Sequence, residues 1–290
     1  MEKKVSKGKA NQRSLGDRMK SYEEVTTNRM LVERLPIYIR LDMRAGHSFC
    51  RGLEKPFDDN YSKTMQETTS YLVDKTGAVL GYTQSDEISL VYEDSTKIPF
   101  ETRLFKLESV IASMCTTAFV INGIKNGLGD RIVKGMPSFD CRVCNLPNMD
   151  EAANMIFWRV RDSIKNSITL LALEYFSNKE IHKKNSDDKC RMLWERFHVD
   201  YGTKLCEGYR YGFFFRRELY QKKLSPVELA KIPEKNLPEK SEDGNYYVTR
   251  SHVVNFEIMY LPEKIKNRTD VFFNRAAPIV DENDPGEPID

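Results

Sequence analysis

Residues 81–92, GYTQSDEISLVY, decide the fold. Apolar, aromatic and β-branched residues suit two short strands, Val79–Thr83 and Ile88–Tyr92, and the QSDE between them carries the Ser and Asp that favour tight turns. The stretch therefore predicts a β-hairpin with Asp86 at its tip. It also sets a problem, because Asp86 and Glu87 stand side by side where a buried sheet tolerates carboxylates least.

Working outward, Ile37–Leu41 reads as a strand introduced by Pro36 and ended by Asp42. Asp58 or Asp59 caps a helix whose stripe is Tyr61, Met65, Thr69, Leu72 and Val73, and Gly77 closes it. Downstream of the hairpin come a helix over about 104–119, a strand over about 139–145, and a long helix from Met149 or Asp150 to Phe176. Strand, helix, hairpin, helix, strand is the βαββαβ order of a ferredoxin-like split unit, an α+β fold. That layout brings the end of the first strand beside the hairpin tip, so Asp42 and Asp86 are expected to meet although they lie far apart in the chain.

A short helix around Leu15–Val25 precedes the unit. Beyond residue 180 the pattern loosens into two strand-like stretches, GYRYGFFF and NYYVTRSHVVNFEIMYL, joined by a Pro- and Lys-rich connector at roughly 222–243. The expected organisation is a loose basic arm over 1–14, a main domain over 15–180, a C-terminal α/β extension over 181–280, and an acidic tail over 281–290.

Composition narrows the class. Of 290 residues, 40% are apolar and 30% charged, as in ordinary globular chains. Lys+Arg 45 against Asp+Glu 43 gives +2, so nucleic-acid binding would need local patches rather than global charge. The basic N-terminus MEKKVSKGKANQR is followed by no apolar stretch and does not read as a signal peptide. The longest apolar run, around Ile168 to Leu173, is too short to span a membrane, and the expected location is cytoplasmic. Cys141 and Cys144 form a CxxC inside a strand-like segment, where an odd offset sends the thiols to opposite faces, so a zinc site is not expected.

Two carboxylates converging at one sheet edge repel unless a cation lies between them. Mg²⁺ suits such a pair, because it is held by one or two carboxylates and leaves positions for water and phosphate. The Gly-containing loop after Asp42, MRAGHSF, offers backbone N–H groups of the kind that hold phosphates. Arg103, Lys106 and Ser109 recur on one helix face, which near the acids would clamp a triphosphate and elsewhere is an ordinary polar stripe. The same acids also suit a plainer arrangement in which Asp42 caps a loop and Asp86–Glu87 is a solvated turn.

These motifs together resemble the tRNA-His guanylyltransferases and their guanylyltransferase-like 3′–5′ polymerase relatives. The resemblance rests on RMKSYE at 18–23, IRLDMRAGHSF at 39–49, KPFDD at 55–59, GYTQSDEISLVY at 81–92, KLESVIASM at 106–114, SFDCRVCNLP at 138–147 and FWRVRDSIKNSI at 157–168. It covers roughly residues 15–180, which it makes the catalytic domain, with the extension over 181–280 expected to contact RNA. It implies a palm-like catalytic core as in polymerases and nucleotide cyclases, acting on the 5′ end of tRNA with ATP and GTP as substrates. Asp42, the backbone carbonyl of Met43, and Asp86 would hold two or three Mg²⁺ ions, with Glu87 in a catalytic supporting role. Asp42, Met43, Arg44, Ala45, Gly46, His47, Ser85 and Asp86 would bind nucleotide, and Arg103, Lys106 and Ser109 would face its phosphates. Lys55, Arg159, Asp162 and Asn166 would contact tRNA, and the family's habit implies a homotetramer.

Three departures bear on subtype. Met43 replaces the usual Gly of Asp-Gly-Arg, Ala45-Gly46 stand where Asn-Phe is frequent, and Ile164-Lys165-Asn166 replace His-Ile-Asn. The last spelling resembles the branch that repairs 5′-truncated tRNA by templated addition. A nucleotide cyclase using the same core, and a catalytically silent RNA-binding relative, remain the competing readings.

Overall fold

The computed structural model describes residues 14–95, 98–258 and 264–281. The expected basic arm, but for Ser14, and the acidic tail, but for Asp281, lie outside the described residues. The chain has mixed α/β content built on one antiparallel sheet. A first helix, α1 (Leu15–Thr27), leads to β1 (Ile37–Met43), the short α2 (Gly46–Cys50) and α3 (Asp59–Thr76). The hairpin is β2 (Leu80–Gln84) and β3 (Glu87–Tyr92), followed by α4 (Leu104–Lys125), α5 (Gly129–Gly135), β4 (Phe139–Asn145) and α6 (Met149–Tyr175). Short helices α7 (Asn178–Ile181), α8 (Ser186–Phe197), α9 (Tyr201–Lys204) and α10 (Glu207–Tyr211) precede β5 (Phe213–Lys223). Then come α11 (Pro226–Leu229), β6 (Tyr247–Phe256) and α12 (Arg268–Phe273).

The sheet has six strands in the order β4-β1-β3-β2-β5-β6, and every neighbouring pair is antiparallel. The first four strands and the helices between them follow one another as βαββαβ, with β3 inserted between β1 and β2. Alternation along β1 explains the two layers on either side. Ile37, Ile39, Leu41 and Met43 point into a core shared with α3 and α4, while Tyr38 joins a second core under α6 with Tyr82, Ile156, Val160 and Phe214.

Local chemistry sets the element ends. Asp58 accepts the amide of Tyr61 at 2.9 Å and caps α3, whose C-cap Gly77 has φ +77°. Thr68, Thr69 and Thr76 are buried in α3, and each hydroxyl donates to the carbonyl four residues back, so none of these three hydroxyls is stranded.

Several expectations need correction. The hairpin turn is only Ser85-Asp86, because Gln84 and Glu87 already pair across it. The helix expected to stop near residue 119 runs on to Lys125, since Phe119 and Gly123 are buried and packing overrides the low propensity of its β-branched residues. Among the described residues it is also the helix long and apolar enough to cross a membrane by length and composition, and it packs on α3, α5 and β4. GYRYGFFF is not one strand: α10 takes it as far as Tyr211, and Gly212 at φ +87° turns the chain into β5. The segment expected as a C-terminal extension adds β5 directly to β2, extending the same sheet. The end of the second stretch, residues 259–261, lies outside the described residues.

Candidate active site

Asp42 occupies the last turn-ward positions of β1, directly opposite Glu87 of β3 and Asp140 of β4. The neighbouring Met43 amide donates to the Asp86 carbonyl at 3.0 Å, tying the hairpin turn to β1. Both acids are half-buried. Burial first, then repulsion from Asp86 and Asp140, pushes the Asp42 carboxyl above the usual range, partly offset by Arg142 and Arg40. Asp42 thus sits half-buried beside a second carboxylate.

Backbone conformation around the pair accommodates each unusual residue. Met43 lies in regular β-strand, where a side chain costs nothing, so the change from glycine leaves its carbonyl in place. Ala45 takes φ +56° at the start of α2. A Cβ on Gly46 would stand 1.8 Å from an Asp86 carboxylate oxygen, so glycine is required by the close approach of that side chain. Arg44 and His47 are exposed, with the Arg44 amide donating to the Ser138 carbonyl at 2.8 Å.

Beside Asp86 opens a cavity of about 450 Å³, whose lining includes neither Asp42 nor Met43. Gly46, His47, Lys55, Ser85, Asp86 and Asn166 line it, so one space gathers six of the residues singled out in the sequence. Its wall includes Phe57 and Tyr209, stacked at 4.3 Å and 7°, with the Tyr209 hydroxyl donating to Asp59. Cys50 and Tyr61 line it as well; burial pushes the Cys50 thiol up to about 11, so it is protonated and unreactive at neutral pH. The sequence reading missed these four. Phe57 sits inside the quoted KPFDD, whereas Tyr209 was hidden in a stretch taken for a strand.

Glu87 is buried on the α6 side of the sheet, and Arg159 of α6 forks onto it with bonds of 2.7 and 2.8 Å. Burial raises the Glu87 carboxyl, and the Arg159 bonds oppose that rise. Arg159, carried forward as an RNA contact, is itself turned inward, with a third bond of 2.7 Å to the half-exposed Asp162.

Arg103, Lys106 and Ser109 are not brought to the acids within one chain. β3 carries the chain away from the Ser85–Asp86 turn, so α4 begins at the far end of the sheet. Only Thr116, whose hydroxyl accepts the Phe139 amide, comes back level with Met43. Arg103 precedes it by roughly 20 Å of helix at 1.5 Å per residue. At that far end Arg103 pairs with Glu101 at 2.9 Å, and the Lys106 ammonium sits 5.4 Å from the Phe100 ring centroid. Among the described residues no cluster of three or more His, Cys, Asp or Glu side chains is suited to a metal ion. The donor set is two carboxylates with backbone oxygen, which suits a hard cation completing its shell with water and phosphate.

A sequence profile of the family described as tRNAHis guanylyltransferase (Thg1) matches residues 16–147. The tRNA(His) guanylyltransferase of Schizosaccharomyces pombe is 31% identical over 213 residues, spanning 69% of this chain and 79% of that protein. A bacterial tRNA(His) guanylyltransferase (Thg1)-like protein solved in complex with ATP is 34% identical, with a TM-score of 0.63 over 71% of this chain and 87% of that one. A second such structure, in complex with GTP, is 28% identical, with a TM-score of 0.59 over 84% of this chain and 91% of that one. With this fold, this acid pair and these relatives, the chain belongs to the tRNA(His) guanylyltransferase family of nucleotidyltransferases.

Proposed function

We propose that the protein is a 3′–5′ nucleotidyltransferase that adds guanosine or templated nucleotides to the 5′ end of tRNA, using a ferredoxin-like palm. The observation that carries the reading is the convergence of Asp42 and Asp86 beside a cavity of about 450 Å³, large enough for a nucleotide base and ribose. Asp42, Asp86 and the Met43 carbonyl would hold Mg²⁺, which supplies Lewis-acid stabilisation of phosphoryl oxygens. The chain's own residues do the rest. Gly46 lets α2 approach Asp86, the α2 loop offers amides to phosphate, and Phe57 and Tyr61 give the cavity an aromatic wall. In this reading ATP or GTP activates the 5′ monophosphate, and the 3′-hydroxyl of the incoming nucleotide then attacks it.

Templated repair is favoured over a single addition to tRNA-His. Where the sequence departs from His-Ile-Asn, Ile164 is buried and only Asn166 reaches the cavity. On one face of the β5–β6 ribbon, Tyr220, Lys222 and, across from Tyr220, Arg250 supply aromatic and basic side chains for an RNA face. A homo-oligomer, a tetramer by the family's habit, is supported by α1, none of whose residues is buried, and by exposed Ile121 and Ile124 on α4.

The test offers labelled 5′-monophosphorylated tRNA, full-length and truncated, with ATP, GTP and Mg²⁺. Extension of truncated tRNA alone is expected, and Asp42→Ala or Asp86→Ala abolishes it while leaving the fold intact. Full activity in either variant, or turnover of free nucleotide without extension, overturns the reading.

A further inference from the structure

Glu87 is the residue immediately after Asp86, and it pairs directly across the sheet with Asp42 on one side and with Gln84 on the other. Whatever holds its side chain therefore also holds the turn that presents Asp86. That holder is Arg159, with its side chain 7% exposed against 5% for Glu87. The guanidinium donates through Nε and Nη2 to the two Glu87 oxygens, and again through Nη2 to Asp162 three residues along α6. The Trp158 ring lies against the same guanidinium, 4.4 Å from its centroid. A group so enclosed offers little to an RNA phosphate.

Resting on the two-carboxylate reading above, we propose that Arg159 is a positioning residue: through Glu87 it fixes where the Ser85–Asp86 turn stands relative to Asp42, and so sets the spacing at which the pair holds a divalent cation. A buried ion pair adds little stability over a well-packed apolar pair, so its contribution is a defined geometry. The planar fork matters, because it fixes both the distance and the rotation of the carboxylate, and a lysine point charge cannot reproduce that. Asp162 anchors the fork to the helix and plays for Arg159 the part Arg159 plays for Glu87.

The experiment compares wild type, Arg159→Lys and Asp162→Asn as full-length proteins. Mn²⁺ binding is followed by electron paramagnetic resonance without RNA, folding by thermal melting, and 5′ addition by separate kcat and KM for tRNA. Arg159→Lys keeps the charge and loses the fork, and it is expected to weaken Mn²⁺ binding and kcat by roughly 10- to 100-fold, as outer partners of metal ligands do. Its KM for tRNA is expected to stay within about twofold, since the guanidinium is enclosed by Glu87, Asp162 and Trp158. Asp162→Asn gives a smaller loss in the same direction and decides the matter if Arg159→Lys does not fold. Unchanged Mn²⁺ binding, with or without a raised KM for tRNA, overturns the proposal, as does a wild-type protein that binds no Mn²⁺. Weakened Mn²⁺ binding in a protein that adds no nucleotide to any tRNA leaves the positioning role standing and removes the proposed reaction instead.

Discussion

At the scale of single residues, one side chain that must not be there and one whose charge burial resists define the site. The missing side chain at Gly46 is the sharpest case, because any Cβ would collide with Asp86 at 1.8 Å. Gly46→Ala is expected to cost roughly 100-fold in kcat for nucleotide addition, the scale of an ångström's misplacement at a reacting centre. A thermal melt within a few degrees of wild type would show that the site, not the fold, has moved. Asp42 is the residue whose charge burial in the fold resists. Burial and Asp86 raise its carboxyl, so it takes up a proton more readily folded than unfolded. Its contribution favours the fold below the ordinary carboxylate range and is lost as pH rises through the raised value. Asp42→Asn should therefore melt higher than wild type at about pH 7.5 without metal and match it near about pH 4, with Mg²⁺ erasing the neutral-pH difference. Calorimetry at the two pH values checks this.

At the scale of elements, the sequence carried β1, α3, the hairpin and β4 to within a few residues, because each has a chemical punctuation mark. Pro36 opens β1, Asp58 and Gly77 bracket α3, and Ser85-Asp86 turn the hairpin. Gly77 sits at φ +77°, so Gly77→Ala should cost about 1 kcal/mol in a denaturant melt while leaving activity per folded molecule unchanged. The direction of α4 was not legible as a placement. Arg103, Lys106 and Ser109 do share a face, but which end of the sheet that face occupies follows from where β3 ends. The inward turn of Arg159 was equally hidden, since nothing local to FWRVRDS separates a guanidinium that meets phosphate from one that meets Glu87. Glu87 was expected to play a supporting part, and what was missing was the partner waiting on α6.

At the scale of the whole molecule, the C-terminal third is part of the sheet and not an appendage to it. β5 docks on β2 over only Phe213–Arg216, then continues paired with β6 through Lys223, so most of this ribbon runs on past β2. Its anchor is aromatic: Phe214 stacks on Phe272 of α12 at 5.8 Å, and Phe272 is 1% exposed. Phe272→Ala should cost about 3–5 kcal/mol by denaturant unfolding. If the ribbon were an independent lobe, the same change would instead leave the main transition in place and add a second one at lower denaturant.

The pairing of Asp42 with Glu87 across β1 and β3 has one more consequence. In a pleated sheet neighbouring positions face opposite ways, so every residue of β1 has a parity. Removing or inserting one residue before Asp42 would not weaken the acid pair by degrees; it would flip the whole alternation and send that carboxylate into the core among Ile39, Leu41 and Phe119. Only changes by two keep the chemistry on its side. The acid pair thus depends on an even-or-odd condition, one that the loop after Gly46 escapes and the strand before it cannot.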